Sequence, residues 1–215
     1  MNAARMVVLV SLLAAALAGC AVADKTAALQ RPEGSLAVAG FTNPTHSWEL
    51  LAGYLPQENA PAPKAVLASL DEMVLAILTA HGVRNATLPS ATQQCQQGVP
   101  QGEEGQSRTS AWKYWLAVGR CINADVLLVP QLIYWRERQG REMGAEAPAS
   151  VILDLFLIDV KNQSVLARFH HDETQEALVD NLLKAKKFFD RKAKWVTAGE
   201  LAREGLEEGL KNLGL

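Results

Sequence analysis

The densest group of metal-ligand side chains is His170-His171-Asp172-Glu173. Imidazoles and carboxylates are donors that hold zinc. On a β-strand, however, neighbouring side chains point to opposite faces, so His170 and His171 cannot readily share one ion. His170 and Asp172 fall on one face without an identifiable third ligand. The group therefore reads as a solvated strand end, and no metal site is expected. His46 reads as a loop residue and His81 as a helix terminus. Cys95 and Cys121 lie 26 positions apart. In an oxidising compartment they are a disulfide candidate, worth roughly 3 kcal/mol by chain entropy. The alternatives are two buried thiols or a reactive cysteine, and no Cys-x-x-Cys spacing supports redox catalysis. No Gly-x-Ser-x-Gly elbow, phosphate loop or dinucleotide fingerprint occurs. No catalytic residue, cofactor or enzymatic activity is expected.

Two stretches have the composition of binding surfaces. Lys184, Lys186, Lys187, Arg191, Lys192 and Lys194 interleave with Phe188, Phe189 and Trp195. One reading is a helix with a buried apolar face and cations suited to its carboxyl end. The other is a patch for acidic lipid headgroups, anionic glycan or an acidic protein. The second stretch is Tyr134, Trp135, Arg136 and Arg138 with the loop Gly140–Pro148, since aromatic residues and Arg are enriched at protein interfaces. Strand alternation turns one of Tyr134 and Trp135 to the core. Asp154, inside the apolar run Val151–Ile158, is either exposed on the outer sheet face or paired with a neighbour such as Arg136. Nucleic acid is not an expected partner: Lys+Arg 21 against Asp+Glu 23 gives net −2, with no cationic surplus for phosphates.

The elements that must position these residues follow from periodicity. Ala21–Gly34 lacks period and reads as a tether. Ser35–Phe41 is an apolar strand ending in a Thr-Asn-Pro turn. Val66, Leu70, Met73, Val74 and Ile77 form a helical stripe closed by His81-Gly82. Val83–Leu88 is a candidate short strand, Gln93–Ser107 a loop, and Thr109–Cys121 a helix with Trp112, Trp115 and Leu116 on one face. Asp125–Arg138, with Pro130 expected at an edge or bulge, Ala149–Val160 and Val165–Thr174 form an antiparallel meander. Lys161–Ser164 is its tight turn. Helices are expected over Ala177–Phe189 and from the Thr197-Ala-Gly-Glu200 capping box onward. The order β-α-β-α-β-β-β-α-α gives an α/β fold, a single-domain sandwich with a mixed sheet over residues 35–215.

The amino terminus sets the location. Arg5, then the apolar run Met6–Ala18, then small residues describe a secretory signal peptide over residues 1–19. The run is too short to span a bilayer as a helix. Leu17-Ala-Gly-Cys20 resembles the bacterial lipobox, which implies cleavage before Cys20 and its acylation; cleavage after Ala21 or Ala23 would instead free the protein. Two or three acyl chains hold a protein on a membrane essentially permanently. Ala21 follows the Cys, and in lipoproteins resembling this one the absence of Asp at that position favours transport to the outer membrane. Removing residues 1–19, and Arg5 with them, leaves 215 less 19, or 196, residues at net charge −3.

A wider resemblance covers residues 35–175. The strand ending in Phe41-Thr-Asn, the long helix, the helix leading into Asn123-Ala-Asp125-Val-Leu-Leu-Val and the meander are similar to one group of periplasmic domains. The group comprises the TolB amino-terminal domain, the curli secretion channel lipoprotein and the lipoprotein activator of a penicillin-binding protein. Pro148–Val151 through Asp172–Glu176, with Lys194–Thr197, resembles uncharacterised bacterial lipoproteins. The resemblance implies a lipid-anchored envelope module that binds another protein or the cell wall. No membrane-spanning hairpins are evident, so a channel is not expected. A small-molecule or lipid carrier, or a hydrolase, are the competing functions. The sequence leaves the oligomeric state open.

Overall fold

The computed structural model describes residues 30–57, 60–100, 108–142, 144–175, 191 and 194–215. Cys20, the signal segment, the helix expected over 177–189, and Lys184, Lys186, Lys187 and Lys192 lie outside the described residues.

The frame is a four-stranded mixed sheet in the order β1-β2-β5-β6, with β1 Leu36–Val38, β2 Val126–Arg136, β5 Ser150–Asp159 and β6 Ser164–Thr174. β1 runs parallel to β2; β2, β5 and β6 form the antiparallel meander. Register defines two ends. Leu36, Val126, Asp159 and Ser164 align at one, Arg136, Ser150 and Thr174 at the other. Eleven residues of β2 separate them by roughly 35 Å.

Both faces are covered, which explains the continuous apolar runs of β2 and β5. One face presents Val38, Leu128, Leu153, Leu155 and Leu157 to helices α1, Lys64–Ala80, and α4, Ala198–Asn212. The α1 stripe buries Leu70, Val74 and Ile77 as its spacing predicts, and His81 with Gly82, at φ +79°, ends it. Helix α4 starts at the expected capping box: Glu200 N–H donates to Thr197 Oγ1 (3.2 Å) and Thr197 N–H to Glu200 Oε2 (2.7 Å). The opposite face packs Leu127, Val129, Phe156 and Ile158 against helix α3, Arg108–Cys121, whose Trp115 is fully buried.

Four local expectations are corrected. Val83–Leu88 forms no strand, only a bridge from Thr87 to Ala37. The Gln-rich stretch is not all loop: Pro89–Gly98 is helix α2, with Pro at its first turn. It buries only Pro89, Thr92 and Cys95, too sparse a stripe for hydrophobic periodicity to reveal. The connection after β2 carries its own ladder, β3 Gln139–Arg141 with β4 Gly144–Ala147. Pro130 lies well inside β2, which has strands on both sides, and the bulge falls later, between Leu132 and Tyr134. Its missing N–H faces the β1 side where Gly40 and Phe41 leave the ladder. Their amides turn instead to Gln96 Oε1 (2.9 Å) and Asp71 Oδ1 (2.7 Å). Burial raises the pKa of Asp71, and the Phe41 amide offsets part of that rise.

Candidate functional site

Strand β2 carries Tyr134 and Arg136 to the end of the sheet remote from residues 30–35, and the chain beyond it places Arg138 there too. As alternation requires, one of the pair, Trp135, packs on the core; Tyr134 is likewise partly buried. Arg136 Nε donates to the Pro148 carbonyl (3.1 Å), which pins the hairpin to its own strand. An Arg138 guanidinium N–H donates to the Trp195 carbonyl. Lys194 Nζ meets Glu142 Oε2 at 2.9 Å, and Trp195 N–H bonds the Glu142 carbonyl at 2.8 Å. That hydrogen bond and charge lower the Glu142 pKa and raise that of Lys194. Gln175 closes the arrangement through the Lys194 carbonyl and Val196 amide, both at 2.7 Å. The structure thus brings Lys194, distant in sequence, to the end where β2 and the chain just beyond it carry Tyr134, Arg136 and Arg138.

Arg191 is placed differently. Its side chain is 8% exposed and bonds Glu204 Oε2 at 2.6 Å and Glu173 Oε1 at 3.4 Å, tying α4 to β6. Burial works against its charge, but the two carboxylates outweigh it and hold the guanidinium protonated.

A second polar group lies on the face that α3 covers. Asp154 pairs not with Arg136 but with Arg168 and His170 across the β5–β6 ladder. Arg168 Nε and Nη2 reach its two oxygens at 3.0 and 3.1 Å, and His170 Nδ1 sits 3.0 Å from Oδ1. The reason is register: Asp154 lies opposite His170, two residues from Arg168 on the same face. Arg168 also lies over the Phe156 ring, 5.4 Å from its centroid. The neighbouring chain is fixed by Gln131, which donates to the Glu49 carbonyl (2.9 Å) and accepts from the Leu51 amide (3.2 Å). Gly53 approaches closely, its Cβ position 3.5 Å from Arg168 Nη2. The expectation of a solvated strand end holds for only half of the His170–Glu173 group. His171 and Glu173 are buried, with His171 packed on Gly205 of α4. Among the described residues no group of three His, Cys, Asp or Glu could hold a metal ion.

Cys95 of α2 and Cys121 at the end of α3 are joined as a disulfide, with Cα atoms 5.9 Å apart. Cys95, the Gln96–Gly40 bond, Tyr114 Oη donating to the Gln96 carbonyl (2.8 Å) and the buried Pro89 and Thr92 fasten α2 to the body. Cys95→Ser with Cys121→Ser is expected to cost about 3 kcal/mol, with hydrogen exchange rising first in residues 89–98. Unchanged exchange there would show that α2 does not depend on the bridge.

No protein-family model matches this chain, and no curated protein matches it. Several solved structures resemble it. The PelC dodecamer from Paraburkholderia phytofirmans is 16% identical, covering 87% of this chain and 91% of that chain at TM-score 0.47. The LpoB C-terminal domain from Salmonella enterica is 10% identical, covering 66% and 83% at 0.37. A lipoprotein from Neisseria meningitidis is 10% identical, covering 75% and 99% at 0.40. At such identities and TM-scores these likenesses carry no argument about what the chain does.

Proposed function

We propose that the chain is an exported lipoprotein, anchored through Cys20 in the outer membrane, whose α/β domain is a protein-interaction or regulatory module of the envelope. The observation that carries this reading is the gathering of Tyr134, Arg136, Arg138 and Lys194 at the end of the sheet remote from the tether. A module on a lipid anchor presents that end outward, and the anchor raises its effective concentration against membrane-bound partners. A carrier would enclose its ligand. The sheet instead packs directly against helices on both faces, and the cavities among the described residues include a groove of about 610 Å³ open between α1 and α4.

Two measurements test the reading. Cys20→Ser is expected to give a soluble or unprocessed protein; a fully processed variant that still pellets with membranes would contradict the anchor. A photocrosslinker at Arg138 in living cells is expected to capture one defined envelope protein, with loss of the adduct in Lys194→Glu. Recovery of lipid or a small ligand alone would contradict the interaction module.

A further inference from the structure

Residues 30–35 join the domain at the Leu36–Val126–Asp159–Ser164 end of the sheet and are fastened there. Arg31 Nη2 donates to the His81 carbonyl at 3.0 Å, and the Ser35 amide and hydroxyl both donate to Asp125 Oδ2 at 2.8 Å. The Ser35 amide, then its hydroxyl, lower the Asp125 pKa and keep it ionised. About ten residues separate Cys20 from this end, a reach of at most roughly 35 Å when fully extended. A domain tethered in this way has this end closest to the bilayer.

The same end gathers exposed cations from separate parts of the chain, Arg31, Arg84, Arg120 and Lys161, while Lys211 shares the groove between α1 and α4 with Glu204, Glu207 and Glu208. Carboxylates at this end include Glu33, Asp125 and Asp159. Asp125 is taken up by Ser35. Asp159 is taken up by Asn162, whose amide and side chain donate to it at 2.7 and 2.8 Å. Val165 and Leu166, 48% and 38% exposed, adjoin Lys161 at the start of β6. Cations flanking exposed aliphatic side chains suit a surface of phosphate headgroups above acyl chains.

We infer that this end is a membrane-apposed face that rests on anionic phospholipid headgroups and orients the domain. The inference rests on the proposed Cys20 anchor. Arg120 and Lys211 stand in last helical turns, and Arg31 meets the carbonyl at the end of α1, so each also complements a helix dipole. Arg84 and Lys161 stand outside helices, in loop or turn positions, and Lys161 also offsets the charges of Asp125 and Asp159.

The test uses the full acylated protein on vesicles of phosphatidylcholine alone or of equimolar phosphatidylcholine and phosphatidylglycerol, followed by hydrogen exchange. Exchange in residues 82–86 and 160–166 is expected to slow severalfold on the phosphatidylglycerol vesicles only, and high salt is expected to reverse it. Arg84→Glu with Lys161→Glu should abolish that protection while the protein stays attached through its acyl chains. At about fivefold per cation in surface affinity, two such changes exceed the effect sought. Vesicle-bound protein with equal exchange on both lipids would overturn the inference and leave the anchor standing. Protein that fails to associate with either vesicle would overturn both.

Discussion

Gly209→Ala is expected to destabilise the domain by about 2 kcal/mol and lower Tm by about 4–8 °C, although Ala is the better helix former. A Cβ at Gly209 would sit 2.5 Å from Phe169 Cδ1 and 2.7 Å from Leu155 Cδ1, below any normal contact. The helix packs there on two sheet residues at once, so relief requires the Leu155 and Phe169 side chains to leave their packed positions or α4 to lift from β5 and β6. Gly205, one turn earlier, is similarly close to the ring of His171 at 2.6 Å. The two glycines form a flat strip on which strand side chains rest. Gly199, in the first turn of the same helix, meets nothing nearer than Thr197 Oγ1 at 3.8 Å. Gly199→Ala should therefore be neutral or stabilise by up to about 1 kcal/mol. The two variants make the same chemical change on one helix with opposite expected sign. Thermal unfolding of both decides it: a Gly209→Ala protein as stable as the parent would show that α4 does not approach the sheet as described.

The buried carboxylate gives the second large effect. The Asp154 side chain is 2% exposed, while its partners Arg168 and His170 are 36% and 48% exposed. Arg168→Ala leaves the buried carboxylate with His170 as its remaining ion-pair partner and should cost about 3 kcal/mol. Asp154→Ala leaves a guanidinium that turns partly to solvent, so its cost should be smaller, about 2 kcal/mol. The double variant should recover part of the Arg168→Ala loss, giving a coupling energy well above 0.5 kcal/mol in a double-mutant cycle. Additive single effects in urea unfolding would mean that Asp154 and Arg168 do not pair.

What the sequence made legible, and what it did not, follows from how local each determinant is. Helix α1 and the α4 cap are written in spacing over a few residues, as is the turn over Lys161–Ser164, where Gln163 takes φ +54°. The meander follows from three apolar runs and their turns. Helix α2 was not legible because Gln93, Gln96 and Gln97 carry no apolar stripe; the disulfide and bonds to Gly40 hold it. The Asp154 partner was not legible because it depends on β5–β6 register, which includes a shift between Leu157 and Ile158. The alternation of Arg168, His170 and Asp172 along one face was the available signal. Of the basic stretch 184–194, only Arg191 and Lys194 are described. Arg191 shows how composition misleads there, since a cation read as surface is an internal tie.

Attachment through Cys20 defines both the outward-facing end and the membrane-apposed end of the proposed module. Mass spectrometry of the amino-terminal peptide from the purified membrane fraction tests it most directly. The expected peptide begins at Cys20 and carries the mass of a diacylglyceryl group on sulfur. An unmodified amino terminus at Ala21, Val22 or Asp24, or an intact segment 1–19, would contradict it.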